Sequence, residues 1–244
     1  MIFAIASGKG GVGKTWFAVT LAHAAARAGR RVLLFDADLG LANVDIQLGL
    51  IPDFDLGSVV AGRAKLADAV LHHAEGGFDI VAGRSGSGVL SALEPAALER
   101  VLASLRELAE RYDVVLLDLG AGLEWAVRRM SAWADCLLVM ATEEPTSLTD
   151  AYAVLKLHAA DKPRGDARIV VNQATTRQAG ERTYATLQRA CQTFLGRAPA
   201  CAGVVRRDDR VRDAIRRQAL LLTRHPNAPA AVDVTAITAG LLAA

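Results

Sequence analysis

Residues 6–15 read ASGKGGVGKT, between a short apolar run, IFAIA from residue 2, and a segment of helical spacing that starts at Lys14 and stops before Gly29. Within it, Gly8, Gly13, Lys14 and Thr15 fit G-x-x-x-x-G-K-[ST]. In the order strand, loop, helix, this pattern lets successive backbone N–H groups close around phosphate oxygens, while the helix N-terminus adds its partial positive charge. Lys14 is then placed to reach β- and γ-phosphates, and the Thr15 hydroxyl to ligate Mg²⁺. The motif leaves Lys9 unexplained, because one lysine suffices to hold the phosphates.

The rest of the chain supplies the sheet that such a loop requires. Aliphatic runs recur at VLLFD from 32, FDIVAG from 78, DVVLLDLG from 113, CLLVMAT from 136, RIVVNQ from 168 and CAGVV from 201. Their continuous apolar character is that of strands buried on both faces. Longer segments lie between them. Leu98, Val101, Leu102, Leu105, Leu108 and Tyr112 recur near every 3.6 residues behind Pro95, a first-turn proline. The expected fold is α/β: a single P-loop domain over residues 1–244, a mostly parallel sheet with helices on both faces, and a last helix near 228–243. Ligands of such sheets sit at the carboxyl ends of the strands.

Composition agrees with one well-packed core, with 52% hydrophobic residues and a formal net charge of +2 over 244 residues. No repeat or low-complexity linker divides the chain. The stretch RSGSGVLSALE, 84–94, reads as a surface connection. The three cysteines, Cys136, Cys191 and Cys201, lack the C-x-x-C spacing of a metal or redox site and read as buried thiols of a reducing compartment. His23 and the pair His72–His73 have no metal-ligand spacing either. The N-terminal apolar run is too short for a signal peptide, and no segment has 18 uninterrupted apolar residues, so the chain reads as soluble and cytoplasmic.

Acids stand where the phosphates are expected. Asp36 and Asp38 follow the second strand and are placed to bind Mg²⁺ through water or to orient an attacking water. Asp118, at the end of VVLLDLGAG, stands where a Walker B acid holds Mg²⁺.

The pattern K-G-G-x-G-K-[ST], Lys9 to Thr15, resembles the deviant Walker A loop of the MinD/ParA ATPases. FDADLGLANVDIQLGL (35–50) and EEPTSLTDAYAVLK (143–156) resemble the corresponding segments of the MinD-like flagellar number regulators, the FlhG/FleN family. The resemblance covers nearly the whole chain. It implies a nucleotide-sandwich homodimer in which Lys9 reaches the phosphates held by the partner subunit. Lys14 then acts on the chain's own ATP, and Asp38 positions water while Asp36 supports Mg²⁺. It also implies that Gly8, Gly10, Gly11, Val12, Gly13 and Trp16 frame the nucleotide. By the same resemblance Asn172, near the end of RIVVNQ, is the residue that would pair with adenine. The stretch GVVRRDD resembles the base-flanking G-x-(I/V)-P-x-D, so Val205, Arg206 and Asp208 border the base, with Arg206 in the proline's place and a less constrained backbone expected there. Leu119 and Gly120 depart from the usual Ser-Pro or Thr-Ala after Asp118.

By resemblance the chain is an ATP hydrolase, slow and partner-regulated, that yields ADP and phosphate with Mg²⁺ as cofactor. Its implied partners are an FlhF-like GTPase, a flagellar basal-body component or a FleQ-like transcriptional activator. Against the family pattern, the sequence has no N-terminal D-Q-A-x-x-L-R motif, and its last helix lacks the basic face expected for adsorption to a membrane or cell pole. The rival readings are a ParA-type partition or cargo-positioning ATPase, and an ATP-sensing antiactivator with little turnover. Residues 206–217 hold six arginines and three aspartates. That mixed charge favours an ion-paired exposed helix over direct DNA binding.

Overall fold

The computed structural model describes residues 1–38, 40, 42–83 and 94–243. The Gly/Ser-rich stretch expected to be a surface connection lies, except for Glu94, outside the described residues.

Eight strands form one sheet: β1 Ile2–Ser7, β2 Val32–Ala37, β3 Val70–His73, β4 Phe78–Val81, β5 Val114–Ala121, β6 Cys136–Ala141, β7 Asp166–Ala174 and β8 Ala200–Arg206. Their order is β3-β4-β2-β5-β1-β6-β7-β8. Every pairing is parallel except the β3–β4 edge hairpin. Seven of these strands answer the apolar runs of the sequence. β3 does not, because Val70–His73 is a short, largely half-buried edge strand ending in two histidines, without an apolar run to mark it.

The helices are α1 Lys14–Arg27, α2 Val44–Leu48, α3 Leu56–Val60, α4 Pro95–Ala109, α5 Trp125–Trp133, α6 Pro145–Asp161, α7 Arg177–Leu195, α8 Asp209–Arg216, α9 Leu221–Arg224 and α10 Pro229–Leu242. Strand alternation sorts the core into two layers. Leu34, Leu116 and Leu138 face α1 and α10, whereas Leu33, Val115 and Leu137 face α4, α6 and α7. α4 ends at Ala109, short of the expected Tyr112, whose hydroxyl donates to Asp79 Oδ2 at 2.8 Å and ties the helix exit to β4. α10 is a core helix, with Ala230, Val234, Ile237 and Leu241 buried. Among the described residues no helix is long and apolar enough to cross a membrane. Cys136 and Cys191 are buried as expected, but Cys201 is exposed. It lies at the start of the edge strand β8, which no further strand covers.

The starts of β1, β2 and β5 are fastened together by one residue, through its carboxylate and its backbone carbonyl. Asp113 accepts from the Arg31 backbone N–H at 2.9 Å and from its guanidinium at 2.8 Å, and the N-terminal ammonium donates to the Asp113 carbonyl at 3.1 Å. The strand order reverses about β1, so the loops leaving β1 and its neighbours open a crevice at their carboxyl ends.

Arg31 holds the Asp113 carboxyl down to about 2, first by its side-chain hydrogen bond. A depressed folded-state pKa contributes stability that is present above the unfolded value, near 3.9, and lost as pH falls through the folded value. Asp113→Asn is therefore expected to unfold at lower urea than wild type at pH 6. The two midpoints should converge as the pH is lowered toward 2.

Candidate functional site

A cleft of about 820 Å³ occupies this crevice, lined by the loop after β1, by Asp38 and Gly120, by Asn172 and Gln173, and by the segment Arg206–Asp209 with Val211, Arg212 and Ile215 of α8. Gly13 is the residue before α1, in the left-handed region at φ 91°, and no side chain caps the helix. The first N–H groups of α1 therefore face the cleft free to bind an anion. A Cβ on Gly13 would overlap Trp16 Nε1 and come 2.7 Å from Asn172 Nδ2, so a larger residue is excluded by conformation and by space. Lys14 is buried, and its Nζ donates to Ser7 Oγ at 3.0 Å, while the Ser7 hydroxyl donates to the Lys9 carbonyl at 2.7 Å. Burial lowers the Lys14 pKa, against the pull of Asp118 and Asp38.

The three acids divide into different environments. Asp36 and Asp118 are register partners in β2 and β5, both fully buried. Asp36 accepts from the backbone N–H groups of Asp38, Asn43 and Val44 at 3.1–3.2 Å, so it anchors the loop after β2 and does not line the cleft. Burial, reinforced by the Asp118 charge, raises its pKa to about 8. Burial likewise raises Asp118 to about 7, opposed by a hydrogen bond from Thr15 and by Lys14. Asp118 Oδ1 is buried with no partner. Asp38 is only partly buried, lines the cleft, and lies against Gly120, where a Cβ would sit 3.2 Å from its Oδ1. Gly120, a departure from the family pattern, thus makes room for the Asp38 carboxylate.

Among the described residues no three acids, histidines or cysteines cluster as a self-contained metal cage. The donor set still fits Mg²⁺ held beside phosphates: an orphaned Asp118 oxygen, the Thr15 hydroxyl next to it, and Asp38 at the rim. Mg²⁺ characteristically takes one or two carboxylates and completes its shell with water and phosphate oxygens. A divalent cation here would also favour the charged carboxylates against the burial that raises the pKa of Asp36 and Asp118.

On the other side of the loop, Asn172 is fully buried at the end of β7. Its amide N–H donates to the Val12 carbonyl at 2.7 Å, and its Oδ1 is buried without a partner, leaving an acceptor. Gln173, held at φ 57°, donates to the Gly11 carbonyl at 3.2 Å. Strain of this kind persists where surroundings over-determine it, as between two loops of a site. Arg206 and Asp208 line the cleft and Val205 is buried behind them. The Arg206 backbone is not loosened by the missing proline ring: its N–H donates to Asp233 Oδ2 at 3.0 Å, a bond that proline could not make. Trp16 is 8% exposed and lines the cleft, while Trp125 is 47% exposed at the first position of α5.

Lys9 lies apart from all of this. Its Nζ is ion-paired to Glu144 and donates to Thr146 Oγ1 at 3.3 Å, at the start of α6 and outside the cleft lining. Next to it Glu143 accepts from the Thr175 backbone N–H at 2.9 Å, joining α6 to the loop after β7. Of the six arginines in 206–217, Arg206 is paired with Asp233, Arg210 lies 4.0 Å from Asp208, and Arg217 shares Asp213 with Arg224 and His225, whereas Arg207 and Arg212 line the cleft. Sequence reasoning missed Ser7, Glu144, Gln173 and Asp233. Ser7 carried a local signal, as the polar residue closing a strand before the loop; the others depend on contacts across the fold.

Residues 3–221 match the family described as the CobQ/CobB/MinD/ParA nucleotide binding domain. The chain is similar to the antiactivator FleN of Pseudomonas aeruginosa, at 37% identity over 236 residues, 97% of this chain and 84% of that protein. It is also similar to the flagellum site-determining protein YlxH of Helicobacter pylori, at 30% identity over 184 residues, 75% of this chain and 62% of that one. The fold is that of the cell division ATPase MinD of Pyrococcus furiosus, with a TM-score of 0.83 at 24% identity over 98% of this chain and 97% of that structure.

Gly13→Ala is expected to displace Trp16 and Asn172 and to cost about 1 kcal/mol or more of stability from the left-handed backbone alone. A changed near-ultraviolet circular dichroism band together with a lower urea midpoint would register both effects.

Proposed function

The chain belongs to the CobQ/CobB/MinD/ParA nucleotide-binding family, and from that premise we propose that it is a Mg²⁺-dependent ATP hydrolase, homodimeric when ATP-bound, that controls flagellar number or placement. The observation that carries the dimer is the separation of the two loop lysines. Lys14 points into the chain's own cleft, whereas Lys9 points out of it, toward α6. A lysine so placed serves a phosphate group that a second copy brings to it. Its ion pair with Glu144 is solvent-accessible, with 33% and 66% of the two side chains exposed. Such pairs contribute at most about 1 kcal/mol, so releasing Lys9 to a partner's phosphates costs little.

Within one subunit, the N–H groups from Gly8 to Thr15 and the Lys14 ammonium hold the triphosphate, and Asn172, Val205, Arg206 and Asp208 border the base. Mg²⁺ beside Thr15 and Asp118 would neutralise charge shared between β- and γ-oxygens. Asp38 orients the water in line with the γ-phosphate. Lys9 from the second subunit stabilises charge on the transferring group, as an arginine finger does elsewhere. Hydrolysis then removes the contacts that favoured the dimer.

The cellular role follows from the relatives, one an antiactivator and one a flagellum site-determining protein. The partner is a transcriptional activator that the ATP dimer restrains, an FlhF-like GTPase or a basal-body component. Lys14→Ala is expected to abolish ATP binding, and Lys9→Ala to leave binding intact while lowering turnover by about 10³-fold, the scale set by arginine fingers. Flagella counted by electron microscopy in a deletion strain should be excess or misplaced, and corrected by wild type but not by Lys14→Ala. Normal flagella in the deletion strain would contradict the flagellar role.

A further inference from the structure

Asp233 is fully buried in the second turn of α10, a helix otherwise made of small and aliphatic residues. Its carboxylate collects donors from two separate loops. Arg206, at the end of β8, gives its backbone N–H at 3.0 Å and Nε at 2.8 Å to Oδ2, and Nη2 at 2.9 Å to Oδ1. Arg177, the first residue of α7, gives Nη2 at 2.9 Å to Oδ1. The two loops also touch directly, through the Arg207 N–H and the Ala174 carbonyl at 2.8 Å. One of these loops follows Asn172 and Gln173; the other is Arg206–Asp208. Asn172 and Gln173, which precede the first, and Arg206–Asp208 line the cleft.

A buried carboxylate without partners is strongly unfavourable, and one held by a planar guanidinium fork is fixed in direction as well as charge. Asp233 therefore determines where the Arg206 backbone lies, and with it the spacing of the two loops that flank the base. We propose that Asp233 is a positioning residue for nucleobase recognition, holding the loop after β8 against the loop after β7. The proposal rests on the reading that the cleft binds ATP with its base between these loops. It places base discrimination under the control of α10, a helix that contributes no cleft-lining residue. The side-chain and backbone donors to Asp233 come from Arg177 and Arg206, none of them from the phosphate half of the site on β1 and α1.

The test is a calorimetric titration of the full chain, with magnesium, using ATP, GTP and inorganic tripolyphosphate as probes. Asp233→Asn keeps the shape and removes the charge. Arg206→Met removes the fork from a partly exposed side chain and leaves Asp233 the Arg177 guanidinium and the backbone N–H of residue 206. Both variants are expected to weaken ATP by about tenfold, the scale of a charge-assisted hydrogen bond, and to narrow the preference for ATP over GTP. Tripolyphosphate should bind as to wild type, and the double variant should be no worse than either single one. Equal weakening of ATP and tripolyphosphate, or an unchanged ATP-to-GTP preference, would overturn the positioning role. Failure of the underlying reading looks different: wild type itself would bind ATP no better than Lys14→Ala.

Discussion

The rest of the site depends on charge buried where β1, β2 and β5 end. Asp36 and Asp118 are register partners with essentially no solvent exposure, and the Lys14 ammonium is buried beside them. Burying charges in a low-dielectric interior is unfavourable unless they are paired and hydrogen-bonded. Asp36 offsets part of that cost by accepting three backbone N–H groups and so defines the path of the loop after β2. Asp118 does so only in part, with Thr15 on one side and an unpartnered oxygen on the other. The carboxylates are thus sorted by environment into a loop anchor, an acid with one buried oxygen left without a partner and, in Asp38, a rim residue with access to solvent.

The two lysines divide by the same logic. Lys14 is desolvated and hydrogen-bonded to Ser7, which suits it to a phosphate inside the cleft. Lys9, five residues earlier, stays partly exposed on a weak surface ion pair and can be given up to another molecule. A short glycine-rich loop can place two like charges this way because its backbone turns through conformations closed to other residues, as at Gly13. The answer to the surplus lysine in the sequence is therefore geometric: its side chain leaves the cleft on the far side of the loop.

Much of the fold was legible because buried parallel strands leave continuous apolar runs, and the helix after the phosphate loop was bounded by Lys14 and Gly29. The β3 hairpin was not legible, since a short edge strand needs no apolar run. Cys201 was misjudged because exposure depends on what covers an edge, which local sequence does not record. The phosphate half of the site is contiguous and could be read directly. The rest of the cleft wall draws on β7 and the segment after β8, and Asp233, which ties that segment down, reaches partners 27 and 56 residues away, so nothing near it in sequence marks its role. The absent proline at Arg206 suggested a looser backbone, whereas the freed N–H is what allows Asp233 to bind there.

The central claim, that ATP joins two copies by giving Lys9 a phosphate to reach, is tested most directly by sedimentation velocity with Mg-ATP and with Mg-ADP. Using Asp38→Ala to slow hydrolysis, the account predicts a species of twice the monomer mass with ATP and monomer with ADP. It also predicts loss of the ATP dimer on adding Lys9→Ala. Monomer under both nucleotides, with ATP bound, would contradict the account.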